Sequence, residues 1–177
     1  IDFERLEIQA GTSVTLAAEG AFLTGKTLDI EGTLNIAGVF RPSGCTLNLS
    51  GSLGPDMSWL DVKGGTTINF TDGAAFDNPV MNFEIRDEPT FGFVLSETGF
   101  NTIQAGNLSD GNYGSSWSVV TFNIDVRNYD IANGATLVLM DFTAPERDGW
   151  LPDLLRAMAD EAPLLAAHDE GSFMSRV

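Results

Sequence analysis

Acidic and amide side chains in turns are the residues of this sequence best suited to hold a ligand. Asp72 and Asp77 lie around one Gly-containing turn, and Asp110 and Asn112 flank Gly111. Carboxylate and amide oxygens are the ligands that Ca²⁺ prefers, so Ca²⁺ is the one cofactor the sequence suggests. Neither group completes an EF-hand loop or a nonapeptide β-roll repeat. The alternative is that these residues form turns, because Asp and Asn side chains bond readily to nearby backbone.

Aromatic residues in a polar segment are a second candidate binding group. Residues 105–118 are rich in Gly, Ser and Asn and predict a long exposed loop, which contains Tyr113 and Trp117. Aromatic rings exposed in this way stack on the apolar faces of sugars, so the pair predicts a carbohydrate-binding role. The alternative is that both rings pack on the rim of the core.

The residues needed for nucleophilic catalysis are scarce. His168 is the only histidine and Cys45 the only cysteine, and no Gly-x-Ser-x-Gly motif is present. A single cysteine also excludes a disulfide within the chain. We therefore expect a non-catalytic protein.

Paired carboxylates keep one enzymatic alternative open. Asp29, Asp61, Glu84 and Asp125 alternate with apolar residues and are expected to point outwards. Two such carboxylates on one face could form a glycosidase-like pair. Basic groups for an acidic substrate are few, which makes a polysaccharide-active enzyme the lesser alternative.

Three N-glycosylation sequons occur, at Asn48, Asn69 and Asn107. Asn48 and Asn69 are expected at outward strand positions and Asn107 in the loop. They are candidate acceptors if the protein is secreted through a glycosylating pathway.

The charge of the chain restricts its partners. It has 25 acidic and 9 basic residues, which gives a formal net charge of −16. Such a surface repels nucleic-acid phosphates and anionic membranes, so neither is an expected partner. No apolar run approaches the length needed to span a membrane.

Short strand signals recur through residues 1–100. The segments TLDIEG (27–32), TLNIAG (33–38) and TLNLSG (46–51) alternate apolar and polar residues and end in Gly. Leu28, Leu47 and Ile68 follow one another at intervals of 19 and 21 residues. Recurrence on this scale is typical of a solenoid, in which each coil buries its inner face on its neighbours. The sequence therefore predicts an all-β parallel β-helix (solenoid) of short strands, with a β-sandwich or jelly roll as the alternative.

The second half of the chain differs in pattern. Alternation is longest just after residue 119, and Val119–Phe142 predicts either a hairpin or two successive solenoid faces. Leu151–Ala167 has apolar residues at helical spacing and predicts a short helix that caps the open end of the β-core. We therefore expect a β-solenoid domain over residues 1–145 and a helical cap and tail over 146–177.

Three segments carry a family resemblance: IQAGTSVTLAAEG (8–20), KTLDIEGTLNIAG (26–38) and YDIANGATLVLMDF (129–142). The first two resemble extracellular β-helical proteins, namely autotransporter-type surface proteins and the glycine-studded G8 module. The third is similar to a stretch near the ends of β-rich bacterial surface proteins. The resemblance implies a secreted or cell-surface location and a structural or adhesive role, and it transfers no catalytic residue.

These observations together predict a non-catalytic extracellular structural or adhesive module that self-assembles into a surface layer or filament. Its expected partners are further copies of itself or other surface proteins, and glycans if Tyr113 and Trp117 bind sugar. A carbohydrate-binding module is the first alternative and a polysaccharide-active β-helix enzyme the second.

Overall fold

The computed structural model describes residues 3–16, 21–78, 82–96, 102–110, 120–125, 136–145, 165–167 and 172–176. Within these ranges the chain forms strands and turns and no helix. The strands are β1 (Arg5–Ile8), β2 (Ser13–Leu16), β3 (Ala21–Thr24), β4 (Thr27–Ile30), β5 (Thr33–Ile36), β6 (Gly38–Ser43), β7 (Thr46–Leu49), β8 (Ser52–Leu53), β9 (Met57–Val62), β10 (Thr67–Phe70), β11 (Ala75–Phe76), β12 (Asn82–Ile85), β13 (Thr90–Val94), β14 (Ile103–Asp110), β15 (Thr121–Asp125), β16 (Thr136–Pro145), β17 (Leu165–Ala167) and β18 (Ser172–Arg176).

These strands stack into three sheets, which we call faces one, two and three. Face one has the order β1-β4-β7-β10-β13-β15, face two β2-β5-β8-β11, and face three β3-β6-β9-β12-β14-β16-β18-β17. Neighbours are parallel throughout, except that β18 pairs antiparallel with both β16 and β17. Because each coil contributes one strand to each face, the four strands of face two define four complete coils. The predicted parallel β-solenoid is confirmed.

The interior is formed by like residues stacked from coil to coil. Leu28, Leu47 and Ile68 occupy equivalent positions on face one, and Leu34 points into the same core from face two. All four are at most 1% exposed. The predicted intervals of 19 and 21 residues are thus the lengths of successive coils, and burial of these stacks supplies the main driving force for folding.

Later coils fill the same interior with phenylalanine. Phe70 stacks on Phe93 with ring centroids 5.2 Å apart, and Phe91 contacts both Phe83 and Phe122. Aromatic pairs at these separations contribute beyond the area that they bury. The core therefore changes from aliphatic to aromatic along the axis while its register is kept.

Two corner glycines are required by close approach between coils. A Cβ at Gly51 would overlap the carbonyl oxygen of Gly32, and a Cβ at Gly32 would overlap that of Thr12. Both positions lie at the corner between faces one and two, where one coil rests on the backbone of the previous coil. Lack of space therefore explains the Gly that ends the predicted segments 27–32 and 46–51, whereas Gly38 ends segment 33–38 with a positive φ of 76° and open space around it.

The structure bears on three predictions for the second half of the chain. Of the predicted stretch Val119–Phe142 the structure describes 120–125 and 136–142, where β15 joins face one and β16 joins face three, so these two strands do not form a hairpin. The predicted loop 105–118 is wrong over residues 105–110, which belong to β14 because parallel pairing with β12 and β16 satisfies their backbone. Most of the predicted helix lies outside the described residues, and its last three residues form β17 instead.

We expect Gly51→Ala to lower the free energy of unfolding by about 2 kcal/mol or more, because the added methyl meets backbone that cannot move aside alone. Chemical denaturation followed by circular dichroism measures the change. Ser50→Ala, at the exposed neighbouring position, is the matched control and should stay within about 0.5 kcal/mol of wild type. Equal stability of the two variants would contradict the proposed close approach.

Candidate functional site

A network of four charged side chains lies on the outer side of face three. Asp61 and Glu84 are paired residues of the neighbouring strands β9 and β12. Arg41 Nε donates to Asp61 Oδ2 at 2.9 Å, and Arg86 Nη2 donates to Glu84 Oε1 at 2.6 Å. Arg86 Nε also lies 3.2 Å from Asp61 Oδ1. The two carboxylates and two guanidinium groups therefore form one continuous, electrically neutral chain that we call the ionic network.

Burial distinguishes the members of the ionic network. Asp61 is 1% exposed and Glu84 2%, although both point away from the core. The side chains of Arg41 and Arg86 are about one third exposed, at 32% and 31%. Alternation with apolar residues predicts that both carboxylates point outwards, and their burial on that side is a further finding of the structure. The arginines lie beside both carboxylates and neutralise them, as buried charges require.

One contact in the ionic network is poorly aligned. The Nε–H of Arg86 does not point at Asp61 Oδ1, so neither atom has a hydrogen-bond partner despite their separation of 3.2 Å. Trp59, which precedes Asp61 by two positions on the same side of β9, likewise has a buried Nε1 without a partner. Arg41 also stacks on Phe22, 4.9 Å from the ring centroid. This region of face three thus combines aromatic rings, paired charges and unsatisfied polar atoms.

Amide side chains form a second array, on the outer side of face one. Asn69 Nδ2 donates to Asn48 Oδ1 at 2.8 Å, and Asn48 Nδ2 donates to Asp29 Oδ1 at 2.7 Å. Gly92 occupies the next equivalent position, and a Cβ there would overlap the Asn69 amide oxygen. We call Asp29, Asn48 and Asn69 the amide ladder. It ties three coils together outside the core.

The amide ladder and a similar pair engage all three sequon asparagines. Besides Asn48 and Asn69, Asn107 Nδ2 donates to Asn82 Oδ1 at 2.9 Å on face three. Their position on the outer side of strands is confirmed for Asn48 and Asn69, whereas Asn107 lies in β14 and not in a loop. Each amide nitrogen already serves a contact between coils.

Asp29 ends the amide ladder at the first coil. The hydrogen bond from Asn48 lowers the pKa of Asp29; burial opposes this, and Arg5 adds to it through a hydrogen bond and its charge. Arg5 Nε lies 2.7 Å from Asp29 Oδ2 and 3.0 Å from Glu7 Oε1. These groups border an open cavity of ≈ 280 Å³. Its lining residues are Arg5, Glu7, Ile8, Gln9, Asp29 and Glu31.

The predicted Ca²⁺ ligands are held by other groups or lie outside the described residues. Asp72 Oδ2 accepts a hydrogen bond from Ser96 at 3.0 Å, and Asp77 Oδ2 accepts one from Ser52 at 2.9 Å. Asp110 is the last residue of β14. Among the described residues, no group of three or more His, Cys, Asp or Glu side chains could hold a metal ion.

The remaining candidate residues are either outside the described residues or buried. Tyr113, Trp117, Asn112 and His168 lie outside the described residues. Cys45 is a free thiol that is 1% exposed, and its Sγ donates to the Leu23 carbonyl oxygen at 3.4 Å. Sequence reasoning missed Arg41 and Arg86, although their positions beside outward carboxylates in the coil register were an available signal.

Asp61→Ala should lower the free energy of unfolding by about 2–3 kcal/mol, since it leaves Arg41 and Arg86 without their shared carboxylate. The arginines are partly solvated, which limits the loss. Urea titration measures it, with Asp56→Ala in an exposed turn of the same coil as control. A loss no larger than that of the control would mean that the ionic network adds no net stability.

The lowered pKa of Asp29 predicts a dependence of stability on pH. Its stabilising contribution is complete above the ordinary value of 3.8 and is lost as pH falls through the lower pKa of the folded protein. Asp29→Asn should therefore lose less stability than wild type between about pH 4 and pH 2. Denaturant titrations at several pH values test this, with exposed Asp56→Asn as control. Parallel curves for wild type and Asp29→Asn would contradict the assignment.

Comparison of this chain with known protein families, curated proteins and solved structures finds no match. No protein-family model matches it, and neither a curated protein nor a solved structure matches it significantly. Across the part of the chain that the structure describes, no helix has the length and apolarity to cross a membrane.

Proposed function

We propose that this chain is a non-catalytic structural or adhesive module that acts outside the cell and assembles through its first coil. The observation that carries the proposal is the position of β1, β2 and β3. Each is the terminal strand of its sheet in faces one, two and three, respectively. Among the described residues no strand pairs with their outer edges, and a further coil would pair with all three of them.

The side chains of this first coil support assembly at the same end. Leu6, Val14, Leu16 and Leu23 point towards the core but are only partly buried. Equivalent residues one coil further in, such as Leu28 and Leu34, are at most 1% exposed. The apolar stack therefore continues to the open end, where a further coil would complete its burial.

The occupant that best fits this end is another β-coil from a second copy or from a related surface protein. It would add backbone hydrogen bonds to the three edges and apolar side chains to the exposed stack. The net charge of −16 opposes approach of two copies at low ionic strength. Assembly should therefore strengthen in salt, which screens the repulsion.

An extracellular location is supported by the acidic composition and by the resemblance of residues 8–20 and 26–38 to surface β-helical proteins. The first alternative is a carbohydrate-binding module that uses Tyr113 and Trp117. A polysaccharide-active enzyme is the lesser alternative, and Asp61 with Glu84 would be its carboxylate pair. The two arginines of the ionic network favour a structural role for that pair, because they already neutralise both groups.

Leu6→Lys should abolish assembly, because an inward-pointing charge at the edge opposes docking of another coil while its long stem can reach solvent at the open end. Sedimentation velocity over a range of protein and salt concentrations is the measurement. The average mass of the wild-type particles should rise with protein concentration and with salt concentration, whereas Leu6→Lys should remain monomeric. Ser58→Lys, exposed on β9, adds the same charge away from the first coil and should assemble as wild type. A wild-type protein that stays monomeric at all concentrations and salt levels would exclude assembly.

A further inference from the structure

A row of five threonines runs along the outer side of face one. Parallel pairing places them in equivalent positions on β4, β7, β10, β13 and β15. They are Thr27, Thr46, Thr67, Thr90 and Thr121. Adjacent strands lie about 4.8 Å apart, so the row repeats hydroxyl and methyl groups at that interval. We call it the threonine row.

The threonine row has hydroxyl groups free to bind. Within the described residues, none of its five side chains forms a hydrogen bond, unlike Thr33, Thr66 and Thr71, whose hydroxyls are engaged. The first four threonines are half-buried by their neighbours and Thr121 is exposed. The backbones of the face-one strands lie close mainly to each other among the described elements, and the packing on faces two and three involves their inward side chains. The row is therefore a surface feature without a described partner.

The amide ladder fixes the geometry beside the threonine row. It lies two residues further along β4, β7 and β10, about 6.6 Å from the threonines, and its side-chain hydrogen bonds join successive coils. Side-chain ladders of this kind are one of the devices that keep a sheet flat over many strands. Two parallel rows of fixed spacing thus cover the middle of face one.

Charge is absent from the threonine row and from the positions two residues further on over β7, β10, β13 and β15, where Asn48, Asn69, Gly92 and Asn123 pair in turn. The outward residues there are threonine, asparagine and one glycine, although the chain carries a net charge of −16. These uncharged residues offer no ion pair to a charged partner. An uncharged array with a fixed repeat is suited to a solid whose own surface repeats at a similar distance.

We infer that this side of face one binds crystalline water. Oxygen atoms along the a axis of hexagonal ice repeat at a distance close to the spacing of adjacent strands. Threonine supplies both a hydroxyl for hydrogen bonding and a methyl that orders water around it. Crystalline polysaccharides are commonly bound by stacked aromatic rings, and the two rows contain none between Thr46 and Asn123.

The test is partition of the fluorescently labelled protein into slowly growing ice, with thermal hysteresis as a second measurement. Wild type should enter the ice, and Thr67→Tyr should reduce its enrichment by on the order of tenfold, because the bulky ring lifts the centre of the surface off the lattice. Thr15→Tyr, exposed on face two, is the matched control and should behave as wild type. Thr46→Tyr provides a second variant of the row, and circular dichroism verifies that each variant is folded.

Three outcomes would overturn the inference. The first is exclusion of folded wild-type protein from ice without any thermal hysteresis. The second is equal enrichment of Thr67→Tyr and Thr15→Tyr. The third is unchanged entry of Thr67→Tyr into ice together with the loss of another activity. Loss of self-association would assign the threonine row to a second copy, and loss of binding to crystalline cellulose would assign it to a polysaccharide. Because the assembly proposed above uses the first coil, Leu6→Lys should still enter ice, and the two proposals fail separately.

Discussion

In-register parallel pairing between successive coils is the interaction on which the rest of this structure depends. Each residue of a coil rests on the equivalent residue of the previous coil, as Leu28, Leu47 and Ile68 do inside face one. An apolar position therefore has to be apolar in every coil, and a polar position can build a ladder only if its neighbours accept and donate in turn. The interior stack, the amide ladder and the threonine row are three results of one register. A substitution at one position therefore alters the packing or hydrogen bonding of the coils on both sides of it.

This dependence explains how much of the fold the sequence predicts. Apolar alternation and intervals of about one coil identified the inward residues, and Leu34, Leu47 and Ile68 share one core as expected. The same arguments did not predict the burial of Asp61 and Glu84, because alternation shows which side of a strand a residue occupies but not how exposed it is. The burial of Asp61 depends on Arg41 and Arg86, which approach it from the coils on either side, whereas Glu84 pairs with Arg86 of its own coil. Strand β14 was missed for a similar reason, since its polar sequence is held in place by pairing on both sides.

Backbone geometry at the corners shows another limit of sequence reasoning. Gly64 and Gly65 have positive φ at the corner between faces three and one. One coil later Asp87 and Glu88 hold the same kind of conformation, with φ of 55° and 58°. Non-glycine residues adopt this region at some cost, so glycine alone does not mark every corner. Pairing between coils fixes the positive φ at this corner, so Asp87 and Glu88 adopt it although they are not glycine.

The filled interior determines where this protein can act. Leucine, isoleucine and phenylalanine side chains fill the core of the described coils, so recognition is expected at the faces or the ends. Within the described residues the two ends of face three differ: β3 is the terminal strand at one end, and the antiparallel strands β18 and β17 continue the face at the other. An antiparallel strand reverses chain direction and does not present the parallel edge of another coil. The proposed assembly through the first coil fits this difference on face three, and it would leave the long faces available for other contacts.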